Sequence, residues 1–232
     1  MSTMNKVGAA RRVRLMAVGL AVLGLCACGS LGAPATPPAV YYALNSTWPV
    51  TTPVATISSP LSSTALTLII NPPHAAAGFD SPHLVYLRQA FKLEYFANSE
   101  WVDPPARMLG PLLVAAIERS SAFRAVVLTP GAAGGDLRLD TLIVRLQHEF
   151  QSQPSRVRFT LRATLTDDKT RRVLAWREFE ATAPASSEDA YGGVLAANQA
   201  VQSVLQELSV FCTQAVQDRA KASGTPGAPS IP

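Results

Sequence analysis

The sequence predicts a mixed α/β (α+β) domain, a largely antiparallel sheet with two main helices packed on one face. Three observations carry this. Val157, Phe159, Leu161, Ala163 and Leu165 alternate with Arg156, Arg158, Thr160, Arg162 and Thr164, the period-two pattern of a strand with one buried and one wet face. Residues 188–218 place Val194, Ala197, Val201, Val204, Leu205, Leu208, Cys212 and Ala215 at threes and fours, the stripe of an amphipathic helix. A second stripe, Leu109, Leu112, Leu113, Ala116 and Ile117, follows Asp103-Pro104-Pro105. There Asp is a good N-cap and proline in the first turn loses no useful donor.

The elements follow in chain order. Val40–Leu44 is a short aromatic strand and Ala65–Ile70 a second, ended by Asn71-Pro72-Pro73. Leu84–Arg88 and Leu93–Phe96 form a hairpin around Gln89–Lys92. In the helix after Asp103, Pro111 either kinks the helix or moves its start later. Phe123–Leu128 is a strand and Pro130–Gly135 a loop. Asp136–Phe150 is a long strand with Leu142, Val144, Leu146 and Phe150 in phase; Leu137 and Leu139 are out of phase, which places a bulge near Asp140-Thr141. Asp167–Thr170 turns the chain into a last strand, Arg171–Ala183, before the long helix.

The N-terminus has its own logic. Lys6, Arg11, Arg12 and Arg14 precede the uncharged, mostly apolar run 15–28. That run spans only about 20 Å as a helix, short of a hydrocarbon core of about 30 Å, so it reads as a secretory h-region. Leu25-Cys26-Ala27-Cys28 has the small residue that processing needs before Cys28 but not before Cys26. Residues 1–27 are therefore expected to be a lipoprotein signal and Cys28 the lipidated first residue, held stably by more than one acyl chain. Gly29, in place of Asp, favours the outer membrane by resemblance to enterobacterial lipoproteins. Residues 28–39 form a tether, 40–220 one domain, and 221–232 a disordered tail.

Removing the signal changes the charge. The whole chain holds 20 basic and 16 acidic residues. The signal takes four basic residues and no acidic ones. The remainder is formally neutral, and no nucleic-acid partner follows from the basic balance. With Cys28 committed to lipid, Cys212 is left unpaired and reads as a small core residue.

The search for chemistry finds no catalytic, metal or cofactor set. His74, His83 and His148 lie in no metal-ligand spacing, and no serine sits in GxSxG. Gly131–Gly135 is followed by neither Lys-Ser/Thr nor a helix, so it is no P-loop. Glu149, Glu178 and Glu180 face arginines on neighbouring strands, which reads as cross-strand ion pairing. Tyr41, Tyr42, Tyr86, Phe91, Tyr95, Phe96 and Trp101 cluster in the N-terminal half; any exposed beside the hairpin would mark a partner or lipid contact, with Tyr41, Tyr42, Tyr86 and Trp101 the candidates for a partner and core packing as the default.

Taken in order, these residues resemble the ABC-type transport auxiliary lipoprotein family, which includes PqiC-like proteins. The resemblance rests on the lipobox at Cys28, Tyr41-Tyr42-Ala43-Leu44, and Phe79-Asp80-Ser81-Pro82-His83-Leu84-Val85-Tyr86. Tyr95-Phe96-Ala97, Trp101, the meander and the C-terminal helix follow. The chain departs from the pattern in its segment 45–63, its tail, and Tyr86-Leu87-Arg88 where the family often has Tyr-Arg. The resemblance implies a non-enzymatic, lipid-anchored accessory of an Mce-type lipid-transport system, facing the periplasm. Its partners would be an Mce-domain protein and an ABC permease and ATPase. The alternative is an envelope-assembly or lipid-binding lipoprotein without an ABC partner.

Overall fold

A computed structural model describes residues 38–45, 66–130 and 134–223. The signal, Cys28, the segment 46–65, Gly131–Ala133 and the tail from residue 224 lie outside the described residues. From Ala39 onward the described chain belongs to one compact unit.

The described residues form nine strands and two helices, five strands before the first helix and four between the two. They are β1 (Val40–Tyr42), β2 (Thr67–Ile70), β3 (His74–Ala75), β4 (His83–Leu87) and β5 (Glu94–Trp101), then α1 (Pro105–Glu118). β6 (Ala125–Leu128), β7 (Leu137–Glu149), β8 (Arg156–Asp167), β9 (Val173–Pro184) and α2 (Ala190–Ser223) complete the chain. The predicted elements are present, β5 runs on to Trp101, and the two-residue β3 was not anticipated.

β7 organises the sheet. One of its edges pairs along its whole length with β8, antiparallel, and β8 pairs likewise with β9. The other edge is shared by three short strands, all parallel to it: β2 near Leu137, β3 near Leu142, and β4 at His148 and Glu149. β2 carries β6 outward; β4 carries β5, and β5 carries β1. Most pairing is thus antiparallel, as expected. The parallel wing arises because long excursions return each short strand to β7, and those connections are invisible to local periodicity.

The sheet's inner face and the helices share one apolar cluster. α2 packs across β7, β8 and β9; α1 packs on β3, β6 and α2. Every member of the α2 stripe from Val194 to Cys212 is buried, and Ala215 is half-buried. Fully burying a valine or leucine contributes about 1.5–3 kcal/mol, so this face fixes α2 on the sheet.

Three local expectations need correction. The bulge in β7 lies between Ile143 and Arg145, not at Asp140-Thr141. Leu137, Leu139, Thr141 and Ile143 face inward before it, and Leu146 and His148 after it. Leu142 and Val144 are only half-buried, because alternation continues unbroken from Leu137 and slips at Val144. Asp103 does not cap α1: Pro104 occupies the N-cap without a side-chain bond, while Asp103 pairs with Arg107 at 2.7 Å. Pro111 lies inside α1, which continues through it to Glu118.

Candidate functional site

The buried polar cluster around His148 is the first place to look for chemistry. β7 carries His148 to the end of the sheet, where it is buried. Its Nε2 lies 2.8 Å from Ser155 Oγ in the loop before β8. Ser155 N donates to Glu188 Oε1 at 2.9 Å. Asp189 caps α2, accepting from Gly192 N at 2.8 Å and from Ser187 Oγ at 2.7 Å.

A histidine, a serine and a carboxylate in contact invite comparison with a nucleophilic triad, but the order is wrong. In a triad the histidine stands between serine and carboxylate, taking the serine proton while the carboxylate orients it. Here Ser155 stands in the middle and is wholly buried. Burial pushes His148 down from its ordinary pKa, against the opposing charges of Glu188 and Asp189. The imidazole is therefore neutral at pH 7, and the cluster staples the 151–155 loop to the start of α2. The adjoining cavity, lined by Leu84, Phe96, Trp101 and His148, holds about 20 Å³. That is room for a single water, far below the roughly 300 Å³ at which small-ligand pockets begin.

The remaining titratable groups do structural work. On the outer face of the meander, Arg158 donates from Nε to Glu149 Oε1 at 2.9 Å and from Nη1 to Glu180 Oε1. Arg162 Nη2 meets Glu178 Oε2 at 2.9 Å. Burial raises the Glu149 pKa, but bonds from Arg158 and Gln147 and the charges of Arg158 and Arg145 outweigh it and hold the carboxyl down. These are the cross-strand ion pairs the alternation predicted. His74 is exposed. His83 lies 3.4 Å from Glu100, and its ring centroid is 4.9 Å from that of Tyr95. Among the described residues no three metal-ligating side chains gather, and no helix is long and apolar enough to cross a membrane.

The candidate contact residues separate. Trp101 is buried at 3% exposure; it is a core residue and offers no surface to a partner. Tyr86 is half-buried, its ring 4.7 Å from Phe96 and 5.8 Å from Phe150. Tyr42 is half-buried, 6.3 Å from Tyr191. Tyr41 is exposed. The edge strand they sit on is pinned to α2, since Asn198 Oδ1 accepts from Asn45 N at 2.7 Å and Leu44 is buried. Sequence reasoning did not single out Trp176, which stands exposed on the outer face of β9; Phe91, one of the aromatics of the N-terminal half, is fully exposed at the β4–β5 hairpin tip. For Trp176 the signal was present in the phase of β9, opposite Phe179. Cys28, the expected lipidation site, lies outside the described residues.

A comparison with curated proteins finds no match. Among solved structures, a Xanthomonas campestris protein of family DUF330 superposes with a TM-score of 0.63 at 25% identity, over 79% of this chain and 97% of that one. An uncharacterized protein superposes at 0.52 with 15% identity, over 64% and 90% of the two chains, which speaks to fold alone. The family model for ABC-type transport auxiliary lipoprotein components, a family of transport accessories rather than of enzymes, matches residues 49–209. That span runs from before β2 to the middle of α2 and covers most of the sequence, so the chain belongs to the ABC-type transport auxiliary lipoprotein family.

Proposed function

We propose that the protein is a lipid-anchored, periplasm-facing accessory of an Mce-type ABC lipid-transport system, working by contact with partner proteins rather than by catalysis. The observation that carries the reading is the family match over residues 49–209. Envelope association follows from membership of a lipoprotein family; attachment through Cys28 at the outer membrane extends it, on the strength of the lipobox and Gly29. Tyr41 on edge strand β1 and Trp176 on β9 support a docking role, since exposed aromatics at sheet margins are the residue type that anchors interfaces. The small cavity beside His148 weighs against a lipid carried there.

Capture from detergent-solubilised envelopes, with a tag at the C-terminus, tests the reading. An Mce-domain protein or its permease should be recovered. Their repeated absence from a strain that expresses them overturns it, and a lipid co-purifying without them favours the lipid-binding alternative.

A further inference from the structure

We propose that the β4–β5 hairpin tip, Arg88–Leu93, is a membrane-contact element that seats the domain against an anionic lipid surface. The proposal rests on the anchored reading above only for the domain being held near a membrane.

The first observation is a residue that folding does not explain. Lys92 N closes the turn onto Gln89 O at 3.2 Å, and Phe91 sits in it with φ 67°. That left-handed region suits glycine or asparagine and strains a bulky side chain. Strain of this kind persists when something outside local geometry requires it. Packing does not, because Phe91 is fully exposed. Leu93 and Tyr95, just after it, are exposed as well.

The second is charge. Arg88 and Lys92 flank Phe91; Arg88 Cζ is held 5.2 Å from the Tyr86 ring centroid, and Lys92 Nζ lies 3.2 Å from Glu94 Oε1. Basic side chains beside an exposed aromatic match an anionic headgroup layer over an apolar one. The neighbouring loop at this end, Gln151–Ser155, is uncharged, and the acidic Glu188 and Asp189 are occupied by Ser155 and the α2 cap. The opposite end of the sheet is dense in charge, with Arg138–Asp168, Arg171–Asp168 and Arg219–Asp167 pairs.

The third is direction. The last β4–β7 pairing is Leu87 with Glu149, so the tip lies beyond the end of β7. β1 runs parallel to β5, with Val40 opposite Ser99, and β5 starts at the tip. The chain therefore enters β1 from the tip side. Cys28 lies twelve residues upstream of Val40, a reach of at most about 40 Å when fully extended.

The test uses the mature lipoprotein reconstituted in phosphatidylethanolamine–phosphatidylglycerol vesicles, labelled with an environment-sensitive fluorophore through Phe91→Cys. The control is the same label through Lys169→Cys, in the turn between β8 and β9 at the opposite end; buried Cys212 stays unlabelled. The label at 91 should shift to the blue and be quenched by a lipid-borne quencher, and it should do so less without phosphatidylglycerol; the label at 169 should remain as in buffer. Equal, water-like signals at both positions overturn the proposal, as does shielding of 91 that appears only when envelope proteins are added. The mass of the N-terminal peptide reports acylation separately: an acylated protein with a wet tip sinks the tip alone, and an unacylated one with a shielded tip sinks only the anchor. Phe91→Gly should keep or raise the thermal midpoint while abolishing vesicle-dependent protection of the turn from proteolysis. A lower midpoint returns Phe91 to a folding role and overturns the proposal.

Discussion

Gly193, in the first turn of α2, lies directly against the buried ring of His148: a Cβ at position 193 would stand 2.5 Å from Nδ1 and 3.1 Å from Cε1. The helix can approach β7 this closely only because position 193 carries no side chain.

Gly193→Ala should therefore destabilise the protein. In an unhindered helix the change stabilises by about 1 kcal/mol; here overpacking against the imidazole costs about 1–3 kcal/mol, so the net sign reverses. Gly134→Ala is the control: no atom lies within 4 Å of its Cβ position, and it should stay within about 0.5 kcal/mol. Urea denaturation of both variants checks the pair, and a Gly193→Ala protein more stable than the parent contradicts the packing.

His148 makes stability pH-dependent in a definite window. Burial lowers its folded pKa below the ordinary 6.5, more than Glu188 and Asp189 raise it. The unfolded state then binds the proton more readily, so this stability is complete above about pH 6.5 and is lost as pH falls through the folded value. The thermal midpoint should drop between pH 7.5 and 5.5, and His148→Gln should flatten that slope. An unchanged slope in the variant assigns the effect elsewhere.

Two arginines of the outer face should differ in worth. Arg158 serves Glu149, whose side chain is 13% exposed, whereas Arg162 and Glu178 are 49% and 42% exposed. Arg158→Ala leaves a largely buried carboxylate without its charged partner, with only Gln147 still donating to it, and should cost about 1.5–2 kcal/mol. Arg162→Ala should cost less than about 1 kcal/mol. Equal losses by chemical denaturation contradict the assignment.

The cysteines report both core and anchor. Burial pushes the Cys212 thiol up to about 12, so it should resist thiol reagents at pH 8 in the native protein and react on unfolding. A mature chain acylated at Cys28 should show no fast thiol when native and one when unfolded. A fast-reacting native thiol identifies an unmodified Cys28.

Cys28→Ala should leave the protein soluble or stalled as its precursor, while Cys26→Ser should mature normally. Membrane fractionation with N-terminal sequencing distinguishes these, and unchanged attachment of the Cys28 variant refutes the anchor.

The sequence by itself determined whatever depends on neighbours a few residues apart. The α2 stripe from Val194 to Cys212, the alternation of β8, the ion pairs of the outer face and the hairpin around Gln89–Lys92 were all legible, because helix and strand periods write burial into the order of residues. The resemblance that led to the family was legible in the same way, from the order of Tyr41-Tyr42, Val85-Tyr86 and the meander. Tertiary structure alone decided what depends on residues far apart in the chain. It placed β2, β3 and β4 parallel along one edge of β7, set the bulge at Val144, and buried Trp101. It joined His148 to Ser155 and Glu188, a structural staple across three segments, and it left Phe91 strained and uncovered at the tip. Each of these turns on which distant segment lies alongside, and no local period carries that information.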